Sequence, residues 1–415
     1  MKLALIQKIN LYLKKARVII LFLIILSLCF LMASTSVEKK HENENNSLSP
    51  ATNFYGYDFS DKYYYNQLSP GQKTKFSYIY DGVVKYESSI VLENLSVDDF
   101  NKMVYILHFD CPELFYLSED SQSYKRDGNK ALIYYPQYTY SYETVQKMKQ
   151  EISEISDKLK LEMKSYTPEQ KEKFIHDYLI ENTTYTLSAS NKGNIYGCLI
   201  ENKANCKGYS SSFSYLCRLV GLKASQVIGT ANTLHGTQNT IGHSWNFVTL
   251  NETSYYVDVC WDDFDESPDL GGLEKSYIFY NLPADTMFLS HNPTETNINL
   301  GEIPLDKDDS QIYYKKEKYY VASMKEAYDT LKTQLKAVDQ GKEKYVIIQC
   351  SNYITYDELQ QDLMNMIKDI ININKLNIDA CNKIDLTNDN TLLLVGFSSS
   401  PEKTEKDDLL CEITQ

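Results

Sequence analysis

Within residues 205–262 stand the three side-chain types that nucleophilic acyl chemistry needs: a thiol, an imidazole and a carboxylate. The segment NCKGYSSSFSYLCRLVGL, residues 205–222, holds two cysteines, Cys206 and Cys217. From Cys206 onward, Tyr209, Phe213, Leu216 and Val220 recur at intervals of three and four, which predicts a helix, and Gly221 follows as its stop. Cys206 then lies at or just before the first turn. Unsatisfied N–H groups and the positive end of the helix dipole favour a thiolate there, and Lys207 adds a cation. Cys217 falls mid-helix among Leu216, Leu219 and Val220, and reads as a buried apolar residue. Three turns apart on one helix, the two cannot form a disulfide.

A thiolate needs a base, and the base needs a group to orient it. The histidines are His41, His108, His176, His235, His243 and His291. His243 heads HSWNFVTL, a strand pattern in which His243, Trp245 and Phe247 share one face. The next run, SYYVDVCW, alternates Tyr256, Asp258 and Cys260 against Tyr255, Val257, Val259 and Trp261, and the link NETS predicts an antiparallel hairpin. A two-residue turn at Asn251-Glu252 pairs Leu250 with Thr253, His243 with Cys260 and Trp245 with Asp258. A four-residue loop pairs His243 with Asp262 instead. Either even loop keeps His243 and Asp258 on one face, whereas an odd loop without a bulge separates them. With the two-residue turn they are diagonal neighbours, roughly 7–8 Å apart at the backbone. A carboxylate between valines is costly without a partner, and His243 would supply one. The plainer alternative is a core histidine with its hydrogen bonds satisfied and an edge-strand aspartate.

The blocks NCKGYSSSFSYLCRLVGLKASQVIG and HSWNFVTLNETSYYVDVCWDD, in this order, resemble the transglutaminase-like superfamily in its bacterial secreted form. That family is similar in its Cys-x-Gly-Tyr-Ala/Ser helix start, its His-x-Trp-Asn strand and its Tyr-x-Val-Asp-x-x-Trp-Asp block. The flanks HDYLIENTTY and YIFYNLPADTMFLSH extend the resemblance over roughly residues 168–292. Lys207 stands where Gln is frequent and Cys260 where Thr is frequent, departures that touch substrate detail and leave the reactive atoms in place.

The resemblance implies an α+β fold with a papain-like core, a Cys-bearing helix packed on an antiparallel sheet, and a catalytic triad of Cys206, His243 and Asp258. Cys206 would attack a carboxamide or peptide carbonyl, His243 would take and return the proton, and Asp258 would set the imidazole tautomer. The oxyanion would meet the Cys206 backbone N–H. Trp245 and Tyr209 are candidates for lining the substrate pocket, with core packing the competing role for Trp245. The thioester would pass to an amine, which crosslinks, or to water, which deamidates or cleaves. A cysteine peptidase with the same triad and a non-catalytic surface-binding module are the alternatives. The expected partners are protein or peptide substrates, cell-envelope proteins among them.

No cofactor is expected. There is no Cys-x-x-Cys pair and no histidine at zinc-like spacing. One weak calcium candidate exists: Asp263, Asp265, Ser267, Asp269 and Glu274 match positions 1, 3, 5, 7 and 12 of an EF-hand-like loop. Pro268 occupies the position where glycine makes the turn, so a solvated acidic loop is the competing reading.

Around this block the 415-residue chain has ordinary globular composition, 43% hydrophobic and 24% charged. Its 35 tyrosines fit AT-rich coding first and aromatic binding grooves second. Residues 1–36 carry Lys2, Lys8, Lys14, Lys15 and Arg17 ahead of the uncharged run Val18–Ala33, the pattern of a signal peptide or an N-terminal anchor. A secreted or membrane-anchored extracellular protein follows, touching membrane only through that segment. Losing those five cations would take the net charge from −14 to −19, a surface that repels nucleic-acid phosphates. A polar tether over 37–54 precedes an α+β region over 55–166. The catalytic core is expected over 167–295, opened by Thr167 as N-cap and Pro168 at the first helical position, and a C-terminal α/β module over 306–415.

Overall fold

Polar caps start the long helices. Ser69, Ser96, Ser141, Thr167 and Ser323 each accept a backbone N–H from the third residue along, opening Pro70–Val84, Val97–Asp110, Tyr142–Glu162, Pro168–Asn182 and Met324–Asp339. At Ser69 and Thr167 the arrangement is reciprocal, because Gln72 and Gln170 return to the cap backbone N–H. These elements come from a computed structural model that describes residues 56–118, 123–127, 131–232, 240–263, 275–293, 300–342, 345–351, 353–378, 380–384, 392–397 and 410–414. Phe59–Gln415 forms one unit and Met1–Asp58 another. The leader and tether expected over 1–54 lie outside the described residues. Among the described residues no helix is long and apolar enough to cross a membrane.

The fold is mixed α+β. Strands β1 (Ile90–Glu93), β2 (Tyr124–Asp127) and β3 (Ala131–Tyr134) make an antiparallel sheet in the order β1-β3-β2. The stretch CPELFYL begins with a 3-10 turn at Pro112–Leu114, since Pro112 presets a turn-compatible φ. A short parallel pair, β4 (Thr184–Tyr185) and β5 (Lys203–Ala204), leads into the central sheet.

That sheet contains β6 (Lys223–Asn232), β7 (Thr240–Leu250), β8 (Thr253–Val257) and β9 (His291–Asn292), antiparallel in the order β8-β7-β6-β9. Leu250 pairs with Thr253 across a two-residue turn in which Asn251 and Glu252 both have positive φ, the twist a tight hairpin prefers. Pairing runs only to Asn246 opposite Val257. The strand expected to continue through Trp261 stops there, and Val259–Asp262 is a short helix with Asp258 as its N-cap. The His243–Cys260 and Trp245–Asp258 pairs therefore do not form.

One face of the central sheet carries the helix Cys206–Leu219, and Ser210, Ser211, Ser212 and Ser214 are all buried along it. Such small side chains let helix and sheet approach closely. Ser210 Oγ lies 2.8 Å from Ser244 Oγ, and Asn246 Nδ2 donates to the Ser210 and Ser225 carbonyls at 2.9 and 3.3 Å. Asn246 is thus a strut between strand and helix. Trp245, Phe247, Val227, Tyr256, Ile278, Phe279 and Leu282 pack together as the neighbouring apolar core. Asp110 binds the far end of the helix, accepting from Arg218 Nη1 at 3.0 Å and Ser225 Oγ at 3.1 Å, and from the Tyr64 and Tyr65 backbone at 2.9 and 3.2 Å.

Farther along, β10 (Tyr320–Val321), β11 (Tyr345–Cys350), β12 (Ala380–Ile384), β13 (Leu392–Gly396) and β14 (Leu410–Thr414) form a mixed sheet in the order β10-β11-β13-β12-β14. Helices Met324–Asp339 and Tyr353–Asn374 supply Leu331, Leu335, Leu359, Leu363 and Ile367 to its core.

Candidate active site

Cys206 is the first residue of its helix. Asn205 caps it, accepting the Gly208 N–H at 3.2 Å, so the Cys206 amide stays among the N-terminal N–H groups that lack an intrahelical acceptor. Gly208 is required by space: a Cβ there would lie 2.2 Å from the Lys192 carbonyl oxygen and 2.8 Å from Ala204 Cβ. The loop between β4 and the helix Ile195–Leu199 packs against this first turn, its Lys192 carbonyl accepting the Asn205 N–H at 2.9 Å. Of the six cysteines with described exposure, five are buried, Cys206 alone is partly exposed, and none is in a disulfide. Burial pushes the Cys217 and Cys260 thiols well above their ordinary range.

His243 Nε2 lies 2.6 Å from Asp258 Oδ2, both side chains being buried. A carboxylate only accepts, so Nε2 carries the proton and Nδ1 is the nitrogen left for Cys206. Burial alone would depress His243. The charge and hydrogen bond of Asp258, together with the Cys206 side chain, override burial and raise the imidazole above its usual range. Burial would raise Asp258, yet the imidazoles of His243 and His291 hold it well below the usual carboxylate range.

The Asp258 carboxylate has two jobs. Its Oδ1 accepts the Cys260 and Trp261 backbone N–H groups at 3.1 and 3.2 Å. Its Oδ2 takes His243 and also His291 Nε2 at 3.1 Å. His291 sits within the flank YIFYNLPADTMFLSH, where nothing in spacing assigned it a role. The signal that could have found it is a histidine ending an apolar run and needing a buried partner. Aromatic walls surround the three groups. Trp261 stacks on His243 at 4.8 Å between centroids, and Trp245 and Trp261 lie 4.9 and 4.7 Å from His291.

His243, Asp258 and His291 are also the one group among the described residues whose donor atoms converge within 4.8 Å, as metal ligands would. The 2.6 Å separation of Nε2 and Oδ2 is that of a shared proton; two ligands held about 2.0–2.1 Å from one tetrahedral ion stand farther apart. Of the calcium-loop candidates, Asp265, Asp269 and Glu274 lie outside the described residues, as does Ser267. Asp263 accepts a hydrogen bond from the Tyr209 hydroxyl.

The two substrate-pocket candidates need correction. Tyr209 is 1% exposed and its hydroxyl lies between Asp263 and the Thr183 carbonyl, the latter at 2.8 Å, while Trp245 is 0% exposed. Both pack inside the domain and neither offers a surface to a substrate.

Residues 157–259 match the profile of the Transglutaminase-like superfamily. This stretch is a transglutaminase-like domain. The match includes Cys206, His243 and Asp258 and stops short of His291. No curated protein matches the chain. Among solved structures, a TGase is 18% identical with a TM-score of 0.23, over 37% of this chain and 45% of its own. A proposed cysteine protease from Cytophaga hutchinsonii is 20% identical with a TM-score of 0.21, over 29% and 41%. The chain spans less than half of either structure, and at these TM-scores neither likeness bears on the chemistry.

Beside the first turn of the Cys206 helix the transglutaminase-like domain borders a cavity of about 290 Å³, lined by His108, Asn191, Asn194, Asn205, Lys207 and Ser211 among others. A larger one, about 1060 Å³, is lined by Tyr63, Lys102, Lys223, Phe247, Glu252 and Glu302, and neither cavity is lined by Cys206, His243 or Asp258. Volume does not mark this site; the converging polar atoms do.

Proposed function

We propose that the protein is a thiol enzyme in which Cys206 attacks the carbonyl of a protein or peptide amide. His243 Nδ1 receives the thiol proton and returns it to the leaving amine, and Asp258 keeps Nε2 protonated throughout. The observation that carries this reading is the His243–Asp258 hydrogen bond of 2.6 Å, which commits Nε2 to the carboxylate and leaves Nδ1 for the Cys206 side chain, partly exposed at a helix start. The Cys206 backbone N–H is suitably free to hold the oxyanion. The thioester then acylates an amine or is hydrolysed. The basic-flanked apolar run Val18–Ala33 supports action outside the cell, which sequencing the N-terminus of exported protein tests.

One assay separates the outcomes. Purified protein is incubated with a peptide library and a primary amine and the products are read by mass spectrometry. Amine incorporation marks a transferase, a mass gain from amide to acid marks a deamidase, and shortened peptides mark a peptidase. Cys206→Ala must abolish whichever product appears. Persisting product in that variant, or iodoacetamide labelling that fails to favour Cys206 over Cys217, would sink the assignment.

A further inference from the structure

We propose that His291 is a positioning residue for the His243–Asp258 pair, acting as a second, neutral donor that holds the carboxylate in one orientation while His243 gains and loses its proton. The inference rests on His243 being the base for Cys206. Its geometry is specific. His291 Nε2 lies 3.1 Å from Asp258 Oδ2, the same oxygen that His243 approaches at 2.6 Å. Because the carboxylate can only accept, Nε2 of His291 must carry a proton. On the other side of the ring, Nδ1 lies 2.8 Å from Ser290 Oγ, and the single proton of that hydroxyl can go to Nδ1 or to the Met287 carbonyl at 3.5 Å. The shorter contact is the one to Nδ1, and with the hydroxyl turned that way one nitrogen donates and one accepts, a neutral imidazole. Burial, reinforced by the positive charge on His243, holds His291 below its ordinary range despite the attraction of Asp258.

The sheet is built to bring the two rings together. His243 on β7 pairs with Gly229 on β6, and Ala231, two residues on, pairs with His291 on β9. Directly paired residues share a face, so both histidines rise on the same side of β6 as Gly229 and Ala231. These two residues leave the room in which the imidazole centroids come within 5.6 Å. Gly229 is also required by the chain that delivers His291: a Cβ there would stand 2.1 Å from the Asn292 carbonyl oxygen.

Asp258 thereby has four donors, two backbone N–H groups on Oδ1 and two imidazoles on Oδ2. Without His291 the Oδ2 oxygen would answer to His243 alone, with the carboxylate held only through Oδ1. With His291 in place, the oxygen that orients His243 does not move when the imidazolium forms. His291 touches neither the nucleophile nor the reacting carbonyl, and works only through Asp258.

The test is the rate of Cys206 alkylation by iodoacetamide in the full chain, near neutral pH and as a function of pH, for wild type, His243→Ala, His291→Leu and His291→Gln. Leu keeps the volume and removes the donor; Gln restores an N–H at the reach of Nε2. His291→Leu is expected to slow alkylation about tenfold and to move the pH profile, and Gln to return the rate to within about threefold of wild type. Alkylation in His291→Leu that matches wild type, while His243→Ala is slow, would overturn the positioning role. So would a Gln variant as slow as Leu. Wild type and His243→Ala alkylating alike would overturn the parent reading, and the proposal with it. Should His291→Leu fail to fold, nitrogen-15 histidine NMR of the unmodified protein decides: a neutral Nε2–H tautomer at His291 supports the proposal, and an Nδ1–H tautomer refutes it.

Discussion

Two buried histidine–carboxylate clusters sit in the same part of this protein, and they differ in what the second ring nitrogen meets. In the first, His243 gives Nε2 to Asp258 and keeps Nδ1 for Cys206. In the second, His176 places Nδ1 3.1 Å from Asp177 Oδ1 and Nε2 3.1 Å from Asp262 Oδ2. Tyr277 stacks on that ring at 5.2 Å and donates its hydroxyl to Asp177 at 2.9 Å, while Ser276 Oγ and the Phe279 N–H donate to Asp262 at 2.7 and 3.0 Å. Burial opposes charge on His176, yet the two carboxylates prevail and raise it above its usual range. With both nitrogens donating, His176 has no lone pair to take a proton. It is a charged rivet joining the helix Pro168–Asn182 to the segment after β8. A buried histidine–aspartate contact is therefore no catalytic signature by itself; what sets His243 apart is that its second nitrogen meets a thiol where that of His176 meets another carboxylate.

The comparison can be broken by substitution. His243→Ala should slow Cys206 alkylation or turnover on the order of 10²–10⁴-fold with little loss of stability, since Asp258 keeps His291 and two backbone donors. His176→Leu should do the reverse. It removes the one charged partner of buried Asp262, leaving neutral donors on Oδ1 alone, and should cost about 3–5 kcal/mol by urea denaturation, while Cys206 in the folded fraction alkylates within about threefold of wild type. If His176→Leu disarms Cys206 at full stability, the division between the two clusters is wrong.

Acid and base sharpen the contrast further. His176 is raised, so its contribution to stability is complete below its unfolded pKa of about 6.5 and lost as pH climbs through the folded value. Asp177 is lowered: burial opposes its charge, but His176 and Lys173 outweigh burial. Its contribution is complete above about pH 3.9 and lost as pH falls. The stability gap between wild type and His176→Gln should therefore narrow as pH rises from 6 to 10, measured by denaturant midpoint. A gap that widens would show His176 to be neutral in the fold.

The smallest effect concerns Glu172, one turn before His176 on the same helix. Burial pushes its carboxyl up to about 7, against a hydrogen bond from Asn281 Nδ2 at 3.0 Å. A raised acid destabilises the fold increasingly as pH climbs from its unfolded value to its folded one. Glu172→Gln should thus gain stability over wild type between pH 5 and 8, by roughly 1–3 kcal/mol. No gain at pH 8 would mean that its neighbours already accommodate the charge.

Much of the site was legible in residue order. The period of three and four placed Cys206 at a helix start, the turn Asn251-Glu252 set the hairpin register, and face parity brought His243 and Asp258 to one side. Other parts were misread for a physical reason. SYYVDVCW alternates as a strand does, but Asp258 takes the following N–H groups on Oδ1 and turns the chain into a helix, an option that alternation cannot distinguish. Tyr209 and Trp245 looked available because aromatic residues near a motif are ambiguous between pocket and core until their burial is known.

Local sequence by itself determined which side chains could react and on which element each would stand, since capping, periodicity and turn chemistry act over a few residues. Only the tertiary structure decided which histidine turns its second nitrogen to a thiol and that His291 shares Asp258. Those outcomes depend on β9 returning to pair with β6, 60 residues downstream in the case of Ala231 and His291, and on a bare Gly229 that lets it come close. A contact of that range leaves no period in the chain.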